Sequence, residues 1–379
     1  MGGVELSVVE AIGQIPPAAW DACAGDANPF VSHAFLAALE ESGSVGGDSG
    51  WRPRHAVLRD GSGTVVACAP LYLKAHSYGE YVFDHGWAEA YRRAGGRYYP
   101  KLQLAVPFTP VPGPRLLLRD RADDGLRLAF AQALVELAQA SGVSSLHATF
   151  CAAEDIAALR AAGLAIRTGF QFHWQNQGYA DFDAFLAALN HGKRKAIRKE
   201  RREVAVSGVE LLTLTGDALE PAHWDAFFAF YVSTSDRKWG HPYLTRAFFD
   251  RLHATLRDRV VLVLAREHGE FVAGALNLLG ADTLYGRNWG ASVAYRHLHF
   301  EACYYRALDF AIARGLQRVE AGAQGEHKLQ RGYLPARTFS AHWIRDPGFR
   351  AAVEDFLGRE TPAIDETIAE FAAHSPFKA

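Results

Sequence analysis

Arg259-Val-Val-Leu-Val-Leu-Ala-Arg-Glu-His-Gly-Glu-Phe-Val-Ala-Gly-Ala-Leu-Asn-Leu-Leu-Gly-Ala-Asp-Thr-Leu-Tyr-Gly-Arg-Asn-Trp289 holds three β-rich runs, at 259–266, 271–279 and 283–289. Two turn signals separate them, His268-Gly269 and Gly280-Ala-Asp282, and glycine supplies the positive φ that a tight turn needs. The spacing predicts an antiparallel meander. Downstream it predicts a helix over 295–314, strands over 317–320 and 338–344, and a last helix over 349–371. Upstream it predicts a strand over 208–214 and helices over 221–233 and 245–256.

The first half of the chain repeats this order. A strand at 4–9 is followed by helices at 17–22 and 32–41, the second capped by Ser32. Two β-rich runs, 54–59 and 64–74, flank Asp60-Gly-Ser-Gly63, and then come a helix over 123–140, a strand over 145–150, a helix over 153–162 and a strand over 166–174. At 379 residues the chain exceeds the ~100–200 residues of one ordinary domain. The expectation is a mixed α/β (α+β) protein of two domains, 1–175 and 176–379, with a helical arm at 181–206. Between the runs, residues 78–114 are dense in aromatics and carry Pro107, Pro110, Pro112 and Pro114. Proline cannot donate to a ladder, so this segment reads as a shaped surface loop whose aromatics either line a ligand cleft or pack an inter-domain surface.

Composition bounds the function. Hydrophobic residues make up 49% and charged residues 22%, which excludes a disordered or fibrous chain. A net charge of −2 gives no global pull on nucleic acid or membrane, so no DNA partner is expected. No apolar run reaches the ~20 residues of a membrane span and residues 1–11 lack a signal-peptide pattern, so no transmembrane segment and a cytoplasmic location are expected. Cys23, Cys68, Cys151 and Cys303 show no C-x-x-C spacing, against a disulfide framework or zinc knuckle.

One patch breaks the neutrality. Lys193-Arg-Lys-Ala-Ile-Arg-Lys-Glu-Arg-Arg202 sets seven cations against one acid, with Leu186, Leu189, Ile197 and Val204 near one helical face. Its basic side is either a solvated face or a seat for phosphates of a coenzyme or RNA, formed by Lys193, Arg194, Lys195, Arg198, Lys199, Arg201 and Arg202.

The strongest site candidate is Gly322-Ala-Gln-Gly-Glu-His-Lys-Leu-Gln-Arg-Gly332, where three glycines interrupt acid, base and cationic groups. His297, His299, Glu301 and Cys303 lie on one predicted helix, but no second cluster completes a ligand set, so no metal is expected. His147 and Cys151 on one strand lack an orienting acid and read as ordinary buried residues.

Several motifs together carry a family resemblance. They are Asn28-Pro-Phe-Val-Ser-His-Ala-Phe-Leu36, Phe83-Asp-His-Gly-Trp87, Tyr98-Tyr-Pro-Lys-Leu102, the basic run, Arg237-Lys-Trp-Gly240, Arg287-Asn-Trp-Gly290 and residues 322–335. In these the chain resembles the FemABX-like, peptidoglycan biosynthesis or recognition branch of the GNAT acyltransferase superfamily, over nearly its whole length. The resemblance implies tandem GNAT-like domains, each a largely antiparallel mixed sheet flanked by helices. It implies transfer of an acyl or aminoacyl group to an amine, with a small-molecule or peptide acceptor of cell-wall-precursor type. Acyl-CoA or aminoacyl-tRNA would be the co-substrate, with no tightly bound cofactor. In such relatives a basic arm is associated with tRNA. Ser292-Val-Ala-Tyr-Arg-His-Leu-His299 departs from the pyrophosphate-binding pattern of acetyl-CoA enzymes, having no glycine, although Arg287 just before it suits a variant anion loop.

Transfer to an amine needs a base for the amine's proton and a donor facing the carbonyl oxygen. Glu326 and His327 are the candidate bases and Lys328 the candidate for the carbonyl or a phosphate; the alternative is a structural turn in which Glu326 pairs with Lys328 and His327 caps a backbone carbonyl. Asp84, His85, Trp87, Tyr98, Tyr99, Arg237, Trp239, Asn288, Trp289 and Gln324 are the candidate substrate-binding residues. A rival reading is a non-catalytic module that binds a cell-wall-like or peptide ligand through its aromatic segment.

Overall fold

A computed structural model describes residues 3–238, 242–292, 294–323 and 325–378, without the side chains at 235–238. The chain forms two compact units, each built from two segments: residues 1–170 with 337–367, and residues 171–336 with 368–379. The boundary expected at 175/176 lies five residues beyond the division at 170/171, and residues 337–367 return to the first unit.

In the first unit the elements are β1 (Glu5–Val9), α1 (Pro17–Ala24), α2 (His33–Glu41), β2 (Trp51–Pro53), β3 (His55–Arg59), β4 (Val65–Ala69), β5 (Leu71–Lys74), α3 (His85–Arg93), β6 (Lys101–Leu104), β7 (Leu117–Leu118), α4 (Asp124–Ala140), β8 (Ser145–Cys151) and α5 (Ala153–Ala161). β9 (Ala165–Gln175) then leads into the second unit. The run read as one strand at 64–74 is two. Pro70, with no N–H to donate, separates β4, in a β1-β3-β4-β7 sheet, from β5, which pairs with β2 and β6. Phe130, Leu134 and Ala138 of α4 pack with Leu71, Leu104, Leu146 and Ala148, all at most 1% exposed. Burying each such leucine or phenylalanine is worth ~1.5–3 kcal/mol, and these contacts fix the strand faces.

The expected surface loop at 78–114 is a correction. It contains α3 and β6, and much of it is buried, because its charges neutralise one another. The Lys101 ammonium, wholly buried, bonds Glu80 at 2.8 Å and Asp84 at 2.5 Å.

The second unit holds α6 (Phe182–Ala188), α7 (His191–Ala205), β10 (Glu210–Thr215), α8 (Pro221–Lys238), α9 (Arg246–Leu256), β11 (Val260–Glu267), β12 (Glu270–Leu279), β13 (Thr283–Ala291), α10 (Leu298–Phe300), α11 (Arg306–Ala313) and β14 (Arg318–Glu320). β15 (Leu334–Ile344) and α12 (Pro347–Ala373) close the chain. The meander forms as expected: β10, β11, β12 and β13 pair antiparallel in sequence order, and β13 pairs parallel with β14, which meets β9. β11 is buried on both faces, which its unbroken Val-Val-Leu-Val-Leu-Ala run dictates. Gly290 lets β13 lie against α8, since a Cβ there would stand 2.3 Å from the Phe230 carbonyl oxygen. The long helix expected over 181–206 breaks at Leu189 and Asn190, where the Asn190 side chain caps α7 by accepting from the Lys193 N–H.

Candidate active site

β13 and β14 pair only from Thr283 and Arg318 to Tyr285 and Glu320. Beyond that point the two strand ends help to line a cleft of about 440 Å³, within the ~300–1,000 Å³ range of small-ligand sites. Gly286, Arg287, Asn288 and Trp289 form one wall, Ala275, Leu276 and Asn277 of β12 the floor, and Ala321, Gly325 and His327 another wall. His299, Cys303 and Tyr304 complete it. Two local irregularities shape the opening. The register of β12 and β13 shifts so that Asn277 faces Gly286 and Leu276 faces Asn288, leaving Arg287 as the extra residue of a bulge, the device by which strands re-aim side chains beside sites. Between α10 and α11, residues Glu301–Tyr305 form a π-helical turn, a widening that recurs at functional sites.

The expected loop at 322–332 is a short 3₁₀ turn, Glu326–Arg331, and it separates the three catalytic candidates. His327 lines the cleft, its Nε2 lying 2.8 Å from the Tyr304 hydroxyl. Burial, then the cationic Arg331 and Lys328, hold its pKa below the usual histidine value. Lys328 is 1% exposed, and its ammonium donates to the Gly322 carbonyl oxygen at 2.8 Å. Burial pulls its pKa down to about 8, only partly opposed by Cys303. Glu326 is exposed and is not among the residues lining the cleft. The pairing of Glu326 with Lys328 that a purely structural turn would show is replaced by the Lys328 bond to Gly322.

Asn288 and Trp289 line the cleft, and the Asn288 Oδ1 is buried without a hydrogen-bond partner among the described residues. Trp289 packs at 5.3 Å from the His299 ring. Arg287 lines the same cleft. Trp239, Gln324 and the Arg237 side chain lie outside the described residues.

Asp84, His85, Trp87, Tyr98 and Tyr99 belong to the first unit. Asp84, Trp87 and Tyr98 are buried there. The Tyr98 hydroxyl donates to Asp84 Oδ2 at 2.7 Å, Trp87 packs edge-on against His342 at 4.9 Å, and Tyr99 bonds Ser77 at 2.8 Å. His85 alone of the five is exposed, stacked on Phe83. Desolvation raises Glu80 to about 7 despite Lys101, whereas the summed pull of Lys101 and His147 overcomes the burial of Asp84 and lowers it. His147 is pushed down to about 3 by burial, and burial raises the Cys151 thiol far above its ordinary value, which makes that thiol inert.

The basic helix divides into committed and open cations. Arg201 bonds Asp309 at 2.7 Å and Glu301 at 3.0 Å and stacks on Phe182, so it serves the fold. Arg198 pairs with Asp183, Lys199 with Glu203, and Lys193 with the Gln330 amide. Arg194, Lys195 and Arg202 have no ion-pair partner among the described residues, and Lys195 and Arg202 are exposed.

Sequence reasoning did not single out Tyr304, Ala275, Leu276 or Asn277, and it weighed His299 and Cys303 only as metal ligands. Among the described residues no group of three His, Cys, Asp or Glu side chains could hold a metal ion, and no helix is long and apolar enough to cross a membrane.

The arrangement has known counterparts in structure. The crystal structure of FemX aligns with a TM-score of 0.56 at 11% identity, covering 92% of this chain and all of that one. The structure of L-PGS from Bacillus licheniformis aligns at 0.51 and 12% identity, covering 88% of this chain and 98% of that one. These likenesses show that the chain shares the fold of FemX and L-PGS. No curated protein matches the chain in sequence. The FemAB-like family model, described as peptidoglycan biosynthesis/recognition, matches residues 11–379, and the chain belongs to that family.

Proposed function

We propose that this protein is an N-acyltransferase or aminoacyltransferase and that transfer to an amine takes place in the cleft of the second unit. The observation that carries the reading is the parting of β13 and β14 after Tyr285 and Glu320, which opens a cleft walled by Asn288, Trp289 and His327. An ester or thioester carbonyl seated there has the His327 imidazole, its pKa held below the usual histidine value, beside it to take the amine's proton. The Lys328 ammonium beneath Gly322 holds the turn in a positive field that favours the developing oxyanion.

The donor that fits best is an aminoacyl-tRNA. The start of α10 offers no glycine-rich cradle: its N-cap, His297, adopts a left-handed conformation at φ 63° and makes no side-chain cap bond. The exposed Lys195 and Arg202, with the half-buried Arg194, by contrast offer cations suited to a polyanion. The family's description, peptidoglycan biosynthesis/recognition, supports an acceptor of peptidoglycan-precursor type, for which a peptide with a free amine is the form proposed. An FemAB-like protein reading such a precursor would meet it where it is made, in the cytoplasm.

The test incubates the protein with a radiolabelled aminoacyl-tRNA pool, or with acetyl-CoA, and a stem peptide bearing a free lysine ε-amine. Label moving from tRNA to peptide supports the reading. Acetyl transfer alone would move the donor assignment to coenzyme A. Peptide binding with neither donor consumed would replace the enzyme by a recognition module.

A further inference from the structure

We propose that Tyr304 is a positioning residue that fixes the tautomer of His327, so that Nε2 carries the hydrogen and Nδ1 is left to accept the amine's proton. The proposal rests on the transfer reading of the cleft and adds to it a residue that the sequence did not mark.

His327 is exposed on one side, and neighbouring rings bound it on others. Its Nε2 is 2.8 Å from the Tyr304 hydroxyl, and its ring lies 5.7 Å from Phe300 and 6.1 Å from His299. It also covers Gly325, where a Cβ would come within 2.6 Å of Cε1, so the ring occupies space that only glycine leaves open. Tyr304 is itself held: it is 3% exposed, near-parallel to Phe300 at 6.1 Å and edge-on to Tyr333 at 5.6 Å. The π-helical turn from Glu301 to Tyr305 widens the helix at this place and sets Cys303 and Tyr304 together on the cleft.

The charged and titratable surroundings make the tautomer matter. Lys328 and Arg331 from its own turn lower the pKa of His327, His299, Cys303 and Tyr304 from the helical segment lie beside it, and the neighbouring Glu326 carboxylate is exposed and is not among the residues lining the cleft. In its neutral form an imidazole accepts a proton through one nitrogen only, while the Tyr304 hydroxyl facing Nε2 can itself donate or accept; the assignment proposed gives that hydroxyl the accepting role. With Nε2–H donating to the Tyr304 oxygen, Nδ1 holds the lone pair. In the reaction the amine nitrogen bonds to the carbonyl carbon and its proton passes to Nδ1. The carbon–oxygen ester bond to the tRNA then breaks, and the imidazolium returns the proton to the leaving hydroxyl.

The experiment uses full-length protein labelled with ¹⁵N-histidine, with His327→Gln identifying the resonance of interest. The expected result is a single Nε2–H tautomer for His327 between pH 6 and 8, replaced by a mixture in Tyr304→Phe. In the labelled-tRNA assay, Tyr304→Phe should lower kcat by ~10–100-fold, the scale of a misplaced acid or base, with KM within about two-fold. Phenylalanine keeps the ring packing, so a merely structural Tyr304 predicts unchanged tautomer and rate, which would overturn the proposal. An Nδ1–H tautomer in the unaltered protein would overturn it too. Full activity in His327→Gln would instead sink the assignment of the base, a separate failure.

Discussion

Lys328 makes a prediction that runs against intuition. Its ammonium is buried with one carbonyl as hydrogen-bond partner and, among the described residues, no carboxylate in an ion pair with it, and burial lowers its pKa to about 8. A fall from the ordinary lysine value to about 8 corresponds to ~3 kcal/mol of lost stability while the group is charged in both states. The sign follows from proton binding. Between about 8 and the ordinary lysine value the unfolded chain holds the proton that the folded protein releases, so stability rises with pH through that window; below it the whole penalty is present. Lys328→Met removes the charge and keeps most of the volume, but it also strands the Gly322 carbonyl, at a cost of ~1 kcal/mol. The variant should then be more stable than the parent by ~1–2 kcal/mol at pH 7, while losing transfer activity. Urea unfolding at pH 7 and at pH 9.5 measures this, and the advantage should shrink at the higher pH. A variant destabilised at pH 7, or an advantage that does not change with pH, would refute the reasoning.

Three other substitutions probe separate parts of the account. Lys101→Met leaves Glu80 and Asp84 buried without their cation and should cost ~3–5 kcal/mol at pH 7, read by urea unfolding, with partial relief as acid protonates the carboxylates. Gly325→Ala meets both a φ of +120° and the His327 ring at 2.6 Å, so it should lower kcat far more than it lowers Tm. Alanine at Arg194, Lys195 and Arg202 together should weaken tRNA binding and flatten the log–log salt dependence by about 2–3, whereas Arg201→Ala should show its effect in stability through Glu301 and Asp309.

The meander from Val260 to Ala291 was legible because an unbroken apolar strand and two glycine turns are local signals. Its bulge was not. Arg287 becomes the extra residue only through its pairing with β12, and no property of Gly-Arg-Asn-Trp announces that. The segment at 78–114 misled for a related reason: prolines and aromatics are the composition of a loop, and the bonds from Lys101 to Glu80 and Asp84 are contacts across 21 and 17 residues that spacing cannot reveal. The break between α6 and α7 did carry a signal, an asparagine three residues before the first lysine of the basic run, since Asn190 is a favourable N-cap. In the candidate site, the turn at 322–332 stood out by its glycines and charges, and His327 does line the cleft. Tyr304 could not be found that way, because a π-helical turn shifts side chains off the three-and-four spacing by which helical neighbours are read.

The central claim is that the second-unit cleft moves an acyl group from a donor ester to an amine with His327 as the base. Single-turnover transfer of radiolabel from aminoacyl-tRNA to a lysine-bearing stem peptide, comparing the parent protein with His327→Gln, addresses it most directly. The account predicts labelled peptide from the parent and a rate at least ~100-fold lower from the variant, with tRNA affinity unchanged. Equal rates from the two proteins, or peptide capture with the tRNA still fully charged, would contradict it.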